Sequence, residues 1–596
     1  MTQKLIMGNQ AIALGAIRAG VGVVTGYPGT PSSEILETLA MENPGDIYIE
    51  WSVNEKSAME VAAGASYAGM RTMVTMKQVG LNVASDPIMS LAYIGVEGGM
   101  VVVVADDPGP ISSQTEQDTR QFGVFSKIPV FDPTSVEEAY YMIEDAFDYS
   151  EKYHTPVIFR STTRICHSNA SFQLEDKRVK VNPEGFKKDS KWVIFPKLSY
   201  INHQKIEERN PILAEDFSSY RFNEVSGQGK KGIASSGVSY VYTQEALSTL
   251  EGSCKLLKVT TPYPFPEKQA LEFLEGLDEV LVIEELSPYI EKELIHLCGK
   301  YQLPVKIKGK ISKDMISAGE NSVSAIKEVV GSFLDIPYDK EEMIKVPVEL
   351  PVRPPVLCAG CPHRASFYAV KMAMKGKKAV FSGDIGCYTL GNAAPLNMVD
   401  TCLCMGAGIT MAQGLHRAEP DAIHFAFVGD STFFHTGIPG VINAVYNQTE
   451  IVLIVLDNST TAMTGNQPHP GTGKTMMGDI TEKISIHSIL SAIGVQHIQR
   501  VNPFDLTKGE EAVKKAVNTK GVKAIIFEAP CIQITKPDPS YVIDLEKCTN
   551  CEICIKQLGC PAIIMEKGQV VIDANLCYGC SICAQVCPFE AIGEEQ

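Results

Sequence analysis

Eight of the 17 cysteines fall within the last 49 residues, in two similar runs. Cys548-x2-Cys551-x2-Cys554 precedes Cys560-Pro561, and Cys577-x2-Cys580-x2-Cys583 precedes Cys587-Pro588. Two-residue gaps let three sulfurs of one loop converge, and a later Cys-Pro supplies the fourth ligand of the other site. The spacing predicts two [4Fe-4S] clusters: Cys548, Cys551, Cys554 and Cys587 hold one, Cys577, Cys580, Cys583 and Cys560 the other. The alternative is a pair of zinc sites, which usually combine CxxC units rather than CxxCxxC. Five residues separate Cys554 from Cys560, where the common pattern has three; that lengthens a loop and removes no ligand. An odd cysteine total without an export signal points to metal rather than disulfides.

A second constellation is built of oxygen. Gly429-Asp430-Ser431 follows the apolar run Phe425–Val428, and Ile451–Leu456 ends at Asp457-Asn458-Ser459-Thr460. Asp430 and Asn458 lie 28 residues apart. This resembles the diphosphate-binding motif of thiamine diphosphate enzymes, which opens Gly-Asp-Gly and closes on Asn, with Ser431 here in the third place. Adjacent parallel strands would bring both loops to one sheet end. There the Asp430 carboxylate, the Asn458 amide oxygen and the Thr460 carbonyl could share a Mg²⁺ ion with diphosphate oxygens. A Gly-Asp turn alone is common; the spaced Asn-x-Thr gives the motif its content. Thiamine chemistry also needs a glutamate in an apolar pocket to share a proton with the aminopyrimidine. Glu55, after the strand Ile47–Val53 and at the head of an alanine-rich helix, fits that part. It also reads as a helix-terminal acid that suits the dipole. Met405, in Cys404-Met405-Gly406-Ala407-Gly408, resembles the apolar wedge that bends the cofactor, and reads equally as a core methionine.

These sites need a scaffold. The chain has 596 residues, room for about four domains at roughly 150 residues each. At 45% hydrophobic and 21% charged it can bury sizeable cores. A net charge of −17 argues against nucleic acid as main partner. No run of about 20 apolar residues predicts a membrane span, and a cytoplasmic location is expected. Residues 1–170 alternate between strands and helices: a helix at Asn9–Ala19, a strand at Val21–Val24, a helix N-capped by Thr30 with Pro31 at its first position, a helix at Lys56–Tyr67, and strands at Thr72–Met76 and Val101–Val104. Such alternation predicts a parallel sheet covered by helices. Residues 171–230 read as a linker with some helix, 231–345 as a smaller α/β domain, Val346–Pro355 as an extended connector, 346–540 as a second large α/β unit, and 541–596 as a cysteine-rich module.

Taken together the chain resembles the 2-oxoacid:ferredoxin oxidoreductases, and among them the alpha subunits acting on indolepyruvate. The segments carrying the resemblance are Gly26–Ser33, Cys358–Arg364, Gly383–Tyr388, Gly429–His435 and Thr461–Gly465, together with the terminal module. The resemblance implies two thiamine-diphosphate-binding, doubly wound parallel-sheet domains: a pyrimidine-binding one at 1–170 and a diphosphate-binding one at 346–540. It further implies a smaller α/β domain like the transketolase C-terminal domain, and a C-terminal α+β two-cluster ferredoxin module. The implied activity is oxidative decarboxylation of aryl pyruvates to acyl-CoA and CO₂. Electrons pass through the clusters to ferredoxin, and no flavin or nicotinamide fingerprint is evident. The implied partners are a smaller beta subunit, ferredoxin, the 2-oxoacid and CoA, in a heterotetramer of two alpha and two beta chains. In relatives a threonine corresponding to Thr30 binds the substrate carboxylate; a plain N-cap is the other reading, and the two are compatible. A third cluster near the thiamine is implied at Cys358, Cys361, Cys387 and Cys531, with Cys402 and Cys404 as rival ligands. Competing readings are another 2-oxoacid as substrate, a non-oxidative thiamine decarboxylase, and an electron-transfer or scaffold subunit with an inactive thiamine site. The terminal module speaks against the decarboxylase, and intact Glu55, Asp430 and Asn458 against the scaffold.

Overall fold

The computed structural model describes residues 2–250, 252–338, 351 and 353–594. It divides into two compact units, Met1–Val346 and Pro347–Gln596. Most of the connector expected at Val346–Pro355 lies outside the described residues.

In the first unit the strands are β1 (Thr2–Met7), β2 (Val23–Gly26), β3 (Tyr48–Trp51), β4 (Thr72–Lys77), β5 (Met100–Asp106), β6 (Val130–Phe131), β7 (Val157–Thr162) and β8 (Asn169–Leu174). A parallel sheet runs β3-β2-β4-β5-β7-β6. β5 reads Met-Val-Val-Val-Val-Ala-Asp and is buried along its whole length. A central strand covered on both faces loses the apolar/polar alternation of a half-exposed one. Val102 and Val104 enter the core made with Ala58, Met59 and Ala62 of helix Glu55–Tyr67, while Val101 and Val103 are fully buried on the other face.

The segment that reads as a linker is largely ordered. β8 pairs antiparallel with β1, and a helix spans Pro196–Ser218. That helix buries only Asn202, Ile206, Leu213 and Phe217, too thin a stripe to stand out in the sequence. β9 (Glu224–Ser226) then joins the next sheet, antiparallel to β11 (Lys255–Lys258). With β10 (Lys231–Ser235), β12 (Glu279–Ile283) and β13 (Lys306–Lys308) the order is β13-β12-β10-β11-β9, parallel apart from β9. The two sheets of this unit are tied by the buried Arg120, which donates to Glu284 at 2.8 Å, to Asp118 at 2.8 Å and to the Glu285 carbonyl at 2.8 Å.

The second unit is built on β14 (Ala379–Ser382), β15 (Ile423–Gly429), β16 (Val452–Asp457), β17 (His497–Val501) and β18 (Lys523–Glu528), a parallel sheet in the order β14-β15-β16-β18-β17. Its strands feed two cores by strict alternation. Phe425, Phe427, Ile454, Leu456, Ile525 and Phe527 point to one. Ala426, Val428, Leu453, Val455, Ala524 and Ile526 point to the other. The cysteine-rich module follows with β19 (Tyr541–Ile543), β20 (Ile563–Glu566), β21 (Gln569–Ile572) and β22 (Ile592–Glu594), paired antiparallel as β19-β22 and β20-β21. Leu558 and Ile582 of this module pack on Ala365, Tyr368 and Leu506. Among the described residues, no helix is long and apolar enough to cross a membrane.

Candidate active site

In the first unit the chemistry-bearing residues cluster at the C-terminal ends of β2, β3 and β4. Helix Glu55–Tyr67 begins at Glu55 because Asn54 caps it, accepting the Ser57 N–H at 2.8 Å. Glu55 is buried, and its carboxylate lies against Gly80: a Cβ there would meet Glu55 Oε1 at 2.6 Å. Only glycine leaves the carboxylate that space. Lys77, at the end of β4, runs its stem past Gly29 and donates to the Ser112 carbonyl at 3.1 Å. Burial lowers its pKa, opposed by the charges of Asp107 and Glu55.

Thr30 is not the N-cap. Helix Ser33–Met41 starts three residues later, with Ser32 at the cap position. A turn closes first: the Ser32 N–H and hydroxyl both donate to the Gly29 carbonyl, at 2.7 and 2.8 Å, and the Gly29 N–H donates to Ser33 Oγ at 2.9 Å. The Asn9 side-chain amide donates to the Pro31 carbonyl at 2.6 Å. Thr30 thus sits half-buried on the turn between β2 and the helix.

In the second unit, loops leaving β14, β15, β16 and β18 carry Asp384 and Cys387, Asp430, Asn458 and Thr460, and Cys531. Strand adjacency delivers them to one sheet end. Asp430 is buried and accepts the Ser431 N–H at 2.8 Å, the Asn458 N–H at 3.1 Å and the Ser459 N–H at 2.7 Å. His469 Nε2 stands 3.1 Å from its Oδ2. Burial works against the Asp430 charge, but His469 and the backbone donors outweigh it and hold the carboxyl below its ordinary range. Burial, and then the Asp430 charge, push the neighbouring Asp457 up to about 7.

The Asn458 amide bridges this carboxylate and His363. One end of the amide lies 2.8 Å from the Thr460 carbonyl oxygen and 3.2 and 3.3 Å from the two Asp430 carboxylate oxygens: as nitrogen it donates to them, as oxygen it joins them as a further ligand for a cation. Its other end faces His363 Nε2 at 3.4 Å. Burial drives His363 down to about 4, against the pull of Asp430, so near neutral pH its ring is uncharged. Its Nε2 accepts from the amide in one tautomer and donates to it in the other. With the amide oxygen inward, the Asp430 carboxylate, the Asn458 amide and the Thr460 carbonyl offer the oxygen ligands a hard cation prefers, and could hold a divalent ion such as Mg²⁺.

Met405 is half-buried on the loop before helix Ala407–Ala418, not in the core. Its carbonyl accepts from Thr436 Oγ1 at 2.7 Å. The next residue, Gly406, donates its N–H to both Asp384 carboxylate oxygens at 2.9 and 2.8 Å. Gly406 has φ +81°, and a Cβ would meet Thr436 Oγ1 at 2.2 Å, so glycine is needed on both counts. Burial pushes Asp384 up to about 7 despite these N–H donors.

The terminal cysteines collect into two cavities. Cys560, Cys577, Cys580 and Cys583 line one; Cys548, Cys551, Cys554 and Cys587 line the other. Among the described residues, no three His, Cys, Asp or Glu side chains converge on a single metal ion; the thiols surround a volume instead. A further thiol group lies near the oxygen site. Cys387 is pushed up to about 11 by burial and then by the neighbouring Cys531 and Cys358. Cys361 is pushed up to about 12, with burial first and Cys358 among the lesser causes. Cys402 and Cys404 are exposed and interact with Asp384, Cys402 also with Cys404.

Sequence reasoning named no role for His363, Lys77, Gly80, Asp384, Asp457 or His469. His363 and Asp384 sit inside motifs quoted for other residues; His469 lies 39 residues beyond Asp430 in a turn-rich loop with no spacing rule to flag it.

Residues 14–216 match the family described as pyruvate flavodoxin/ferredoxin oxidoreductase, thiamine diP-binding, and residues 384–527 the thiamine pyrophosphate enzyme C-terminal TPP binding domain. Residues 540–588 match the 4Fe-4S dicluster domain. Indolepyruvate oxidoreductase subunit IorA of Pyrococcus horikoshii is 41% identical, over 98% of this chain and 96% of its own length. The subunit of the same name from Methanothermobacter thermautotrophicus is 40% identical, over 99% and 97%. Among solved structures, a 2-oxoglutarate:ferredoxin oxidoreductase from Magnetococcus marinus aligns at 19% identity and TM-score 0.46, over 56% of this chain and 65% of that one.

Proposed function

We propose, from the premise that this chain belongs to the 2-oxoacid:ferredoxin oxidoreductase family and is related throughout to the IorA subunits, that it oxidatively decarboxylates aryl pyruvates of the indolepyruvate type. The 2-oxoacid and CoA give an aryl-acetyl-CoA, CO₂, a proton and two electrons, and the electrons leave one at a time to ferredoxin. The observation carrying this reading is Asn458 set beside Thr460 and Asp430 at one sheet end, in the same unit as the two terminal cysteine quartets and the coupled Cys387, Cys531 and Cys358 thiols.

Thiamine diphosphate, when bound, supplies a carbon nucleophile and an electron sink. Asp430, Asn458 and Thr460 would hold its diphosphate through Mg²⁺, and Gly429 and Ser431 would flank it. Glu55 would hold the proton at N1′ of the aminopyrimidine, in the space kept open by Gly80. Met405 would press its apolar side chain against the cofactor's bend, on a loop anchored by Asp384. The Thr30 hydroxyl would bind the substrate carboxylate. Cys358, Cys361, Cys387 and Cys531 would hold a [4Fe-4S] cluster near the thiamine, and the terminal quartets two more. We assign pyrimidine binding to 1–170, a transketolase-C-terminal-like domain to 231–345, diphosphate binding to 346–540 and cluster binding to 541–596. A smaller partner subunit completes the enzyme, as two of each chain, in the cytoplasm.

The test is anaerobic reduction of a low-potential ferredoxin with CoA and a panel of 2-oxoacids, with and without the partner subunit. Indolepyruvate and phenylpyruvate should lead the panel. Release of CO₂ without ferredoxin reduction would refute the oxidative reading, and a preference for 2-oxoglutarate or pyruvate the aryl one.

A further inference from the structure

Arg364 is 4% exposed, in the first turn of helix Pro362–Ala373, yet no carboxylate pairs with it among the described residues. Its guanidinium donates to the carbonyls of Leu558 at 2.6 Å and Gly559 at 2.8 Å, and to the Leu357 carbonyl. Gly559 precedes Cys560, and Leu357 precedes Cys358. Its Nε–H is buried with no partner. Arg364 also lines the cavity of Cys560, Cys577, Cys580 and Cys583, together with Ala359 and Gly360 from the Cys358–Cys361 turn. Two further contacts join these quartets. A Cβ on Gly360 would meet Tyr578 Cβ at 2.5 Å, and the Tyr578 hydroxyl donates to the Ile532 carbonyl, next to Cys531, at 2.9 Å.

A buried guanidinium stays charged. Burial weakens its hold on the proton, and the groups that oppose this are sulfurs of both quartets, Cys560 and Cys580 on one side and Cys361 and Cys358 on the other. Reduction adds one negative charge to a cluster, and a fixed cation in a low-dielectric setting favours that form.

We propose that Arg364 is a positioning residue for electron transfer. Its single buried charge raises the reduction potentials of the two clusters it adjoins, the first at Cys358, Cys361, Cys387 and Cys531 and the second at Cys560, Cys577, Cys580 and Cys583, and leaves the last, at Cys548, Cys551, Cys554 and Cys587, whose cavity it does not line, where it was. One electron passes from the first cluster to the second with no bond made or broken, the guanidinium stays protonated, and ferredoxin is the final acceptor. The inference rests on the reading that both quartets hold clusters.

The test is a mediated redox titration, followed by electron paramagnetic resonance, of the full enzyme and its Arg364→Gln and Arg364→Lys variants. Iron and zinc are counted first. In the Gln variant the reduction equilibrium of the two adjoining clusters should fall at least tenfold, about 59 mV for one electron. The last cluster should not move, and the Lys variant should regain most of the shift. Wild-type potentials in an iron-replete Gln variant would overturn the proposal. So would equal loss of iron from both sites in the Gln and Lys variants, which would make Arg364 a scaffold only. A wild-type enzyme with about eight irons instead of about twelve would instead remove the first cluster, and the proposal with it.

Discussion

The backbone N–H of Cys531 donates to the carbonyl oxygen of Asn458 across 2.9 Å. A residue whose side chain faces the oxygen site thus holds, through its backbone, a thiol of the neighbouring quartet. The link follows from topology: β16 and β18 are adjacent and parallel, so the loops after them leave side by side, and Ala529 N–H already reaches Asp457 carbonyl at 3.1 Å. Because the carbonyl belongs to the backbone, the two roles of Asn458 can be separated.

Asn458→Ala should therefore weaken Mg²⁺-dependent thiamine diphosphate retention by about 10–100-fold, the usual scale for losing one group that supports a metal, and leave iron content unchanged. Asp430→Ala, which removes the carboxylate that His469 and three backbone donors orient, should weaken it further. Calorimetric titration of the cofactor with and without Mg²⁺ measures both. Wild-type retention in the two variants would place the cation elsewhere.

Glu55 gives a paired prediction. Glu55→Gln keeps the shape and removes the shared proton, and turnover should fall by about 10²–10⁴-fold. Gly80→Ala leaves Glu55 in place but puts a methyl group 2.6 Å from its carboxylate oxygen. In helix Gln78–Val83 alanine is the better helix former, so the variant should fold normally while its turnover drops. Full activity in Gly80→Ala, with unchanged circular dichroism, would show that the carboxylate needs no such room.

How much of this was legible beforehand depends on range. The terminal quartets are local: two-residue gaps place three thiols on one loop, and the structure collects each set of four into one cavity. The oxygen site needed only the inference that two strands, 28 residues apart at their ends, lie side by side. The Thr-Pro-Ser-Ser run looks like a helix start at Thr30, whereas Gly29–Ser33 hydrogen bonds close a turn first and the helix begins at Ser33. Helix Pro196–Ser218 was blurred by its thin buried stripe. His363, Lys77 and His469 act on residues 95, 22 and 39 positions away, and no periodicity records such pairings.

Asp384 should leave a pH signature. Its folded-state pKa is raised from 3.8 to about 7, so between those values the folded chain binds the proton that the unfolded chain releases. Stability contributed by that proton is present at low pH and lost as pH rises through about 4 to 7. The loss is about 2 kcal/mol between pH 5 and pH 7. Asp384→Asn cannot titrate, and although its amide serves the Gly406 N–H less well, its stability relative to wild type should improve as pH rises over that window. Urea unfolding of both proteins at pH 5 and pH 7 decides it: a constant difference would mean that Asp384 does not change its protonation there.

The third quartet can be decided by counting iron. Cutting the chain after residue 540 would be a poor test, because Leu558 and Ile582 cover Ala365 and Tyr368 of the helix that follows Cys361. Single substitutions in the full chain avoid that exposure. Cys531→Ser, made and purified anaerobically, should lower iron from about twelve to about eight atoms per chain, since one cubane is lost. The Asn458 oxygen site should still retain the cofactor, because the serine N–H can make the same backbone hydrogen bond. Cys402→Ser should leave iron unchanged: that thiol is exposed and interacts with Asp384 and Cys404, not with Cys358 or Cys531. If Cys402→Ser loses the four irons and Cys531→Ser keeps them, the ligand set is drawn from the Cys402–Cys404 pair. If neither variant differs from wild type, the enzyme carries only its two terminal clusters, and electrons must reach them directly from the thiamine site.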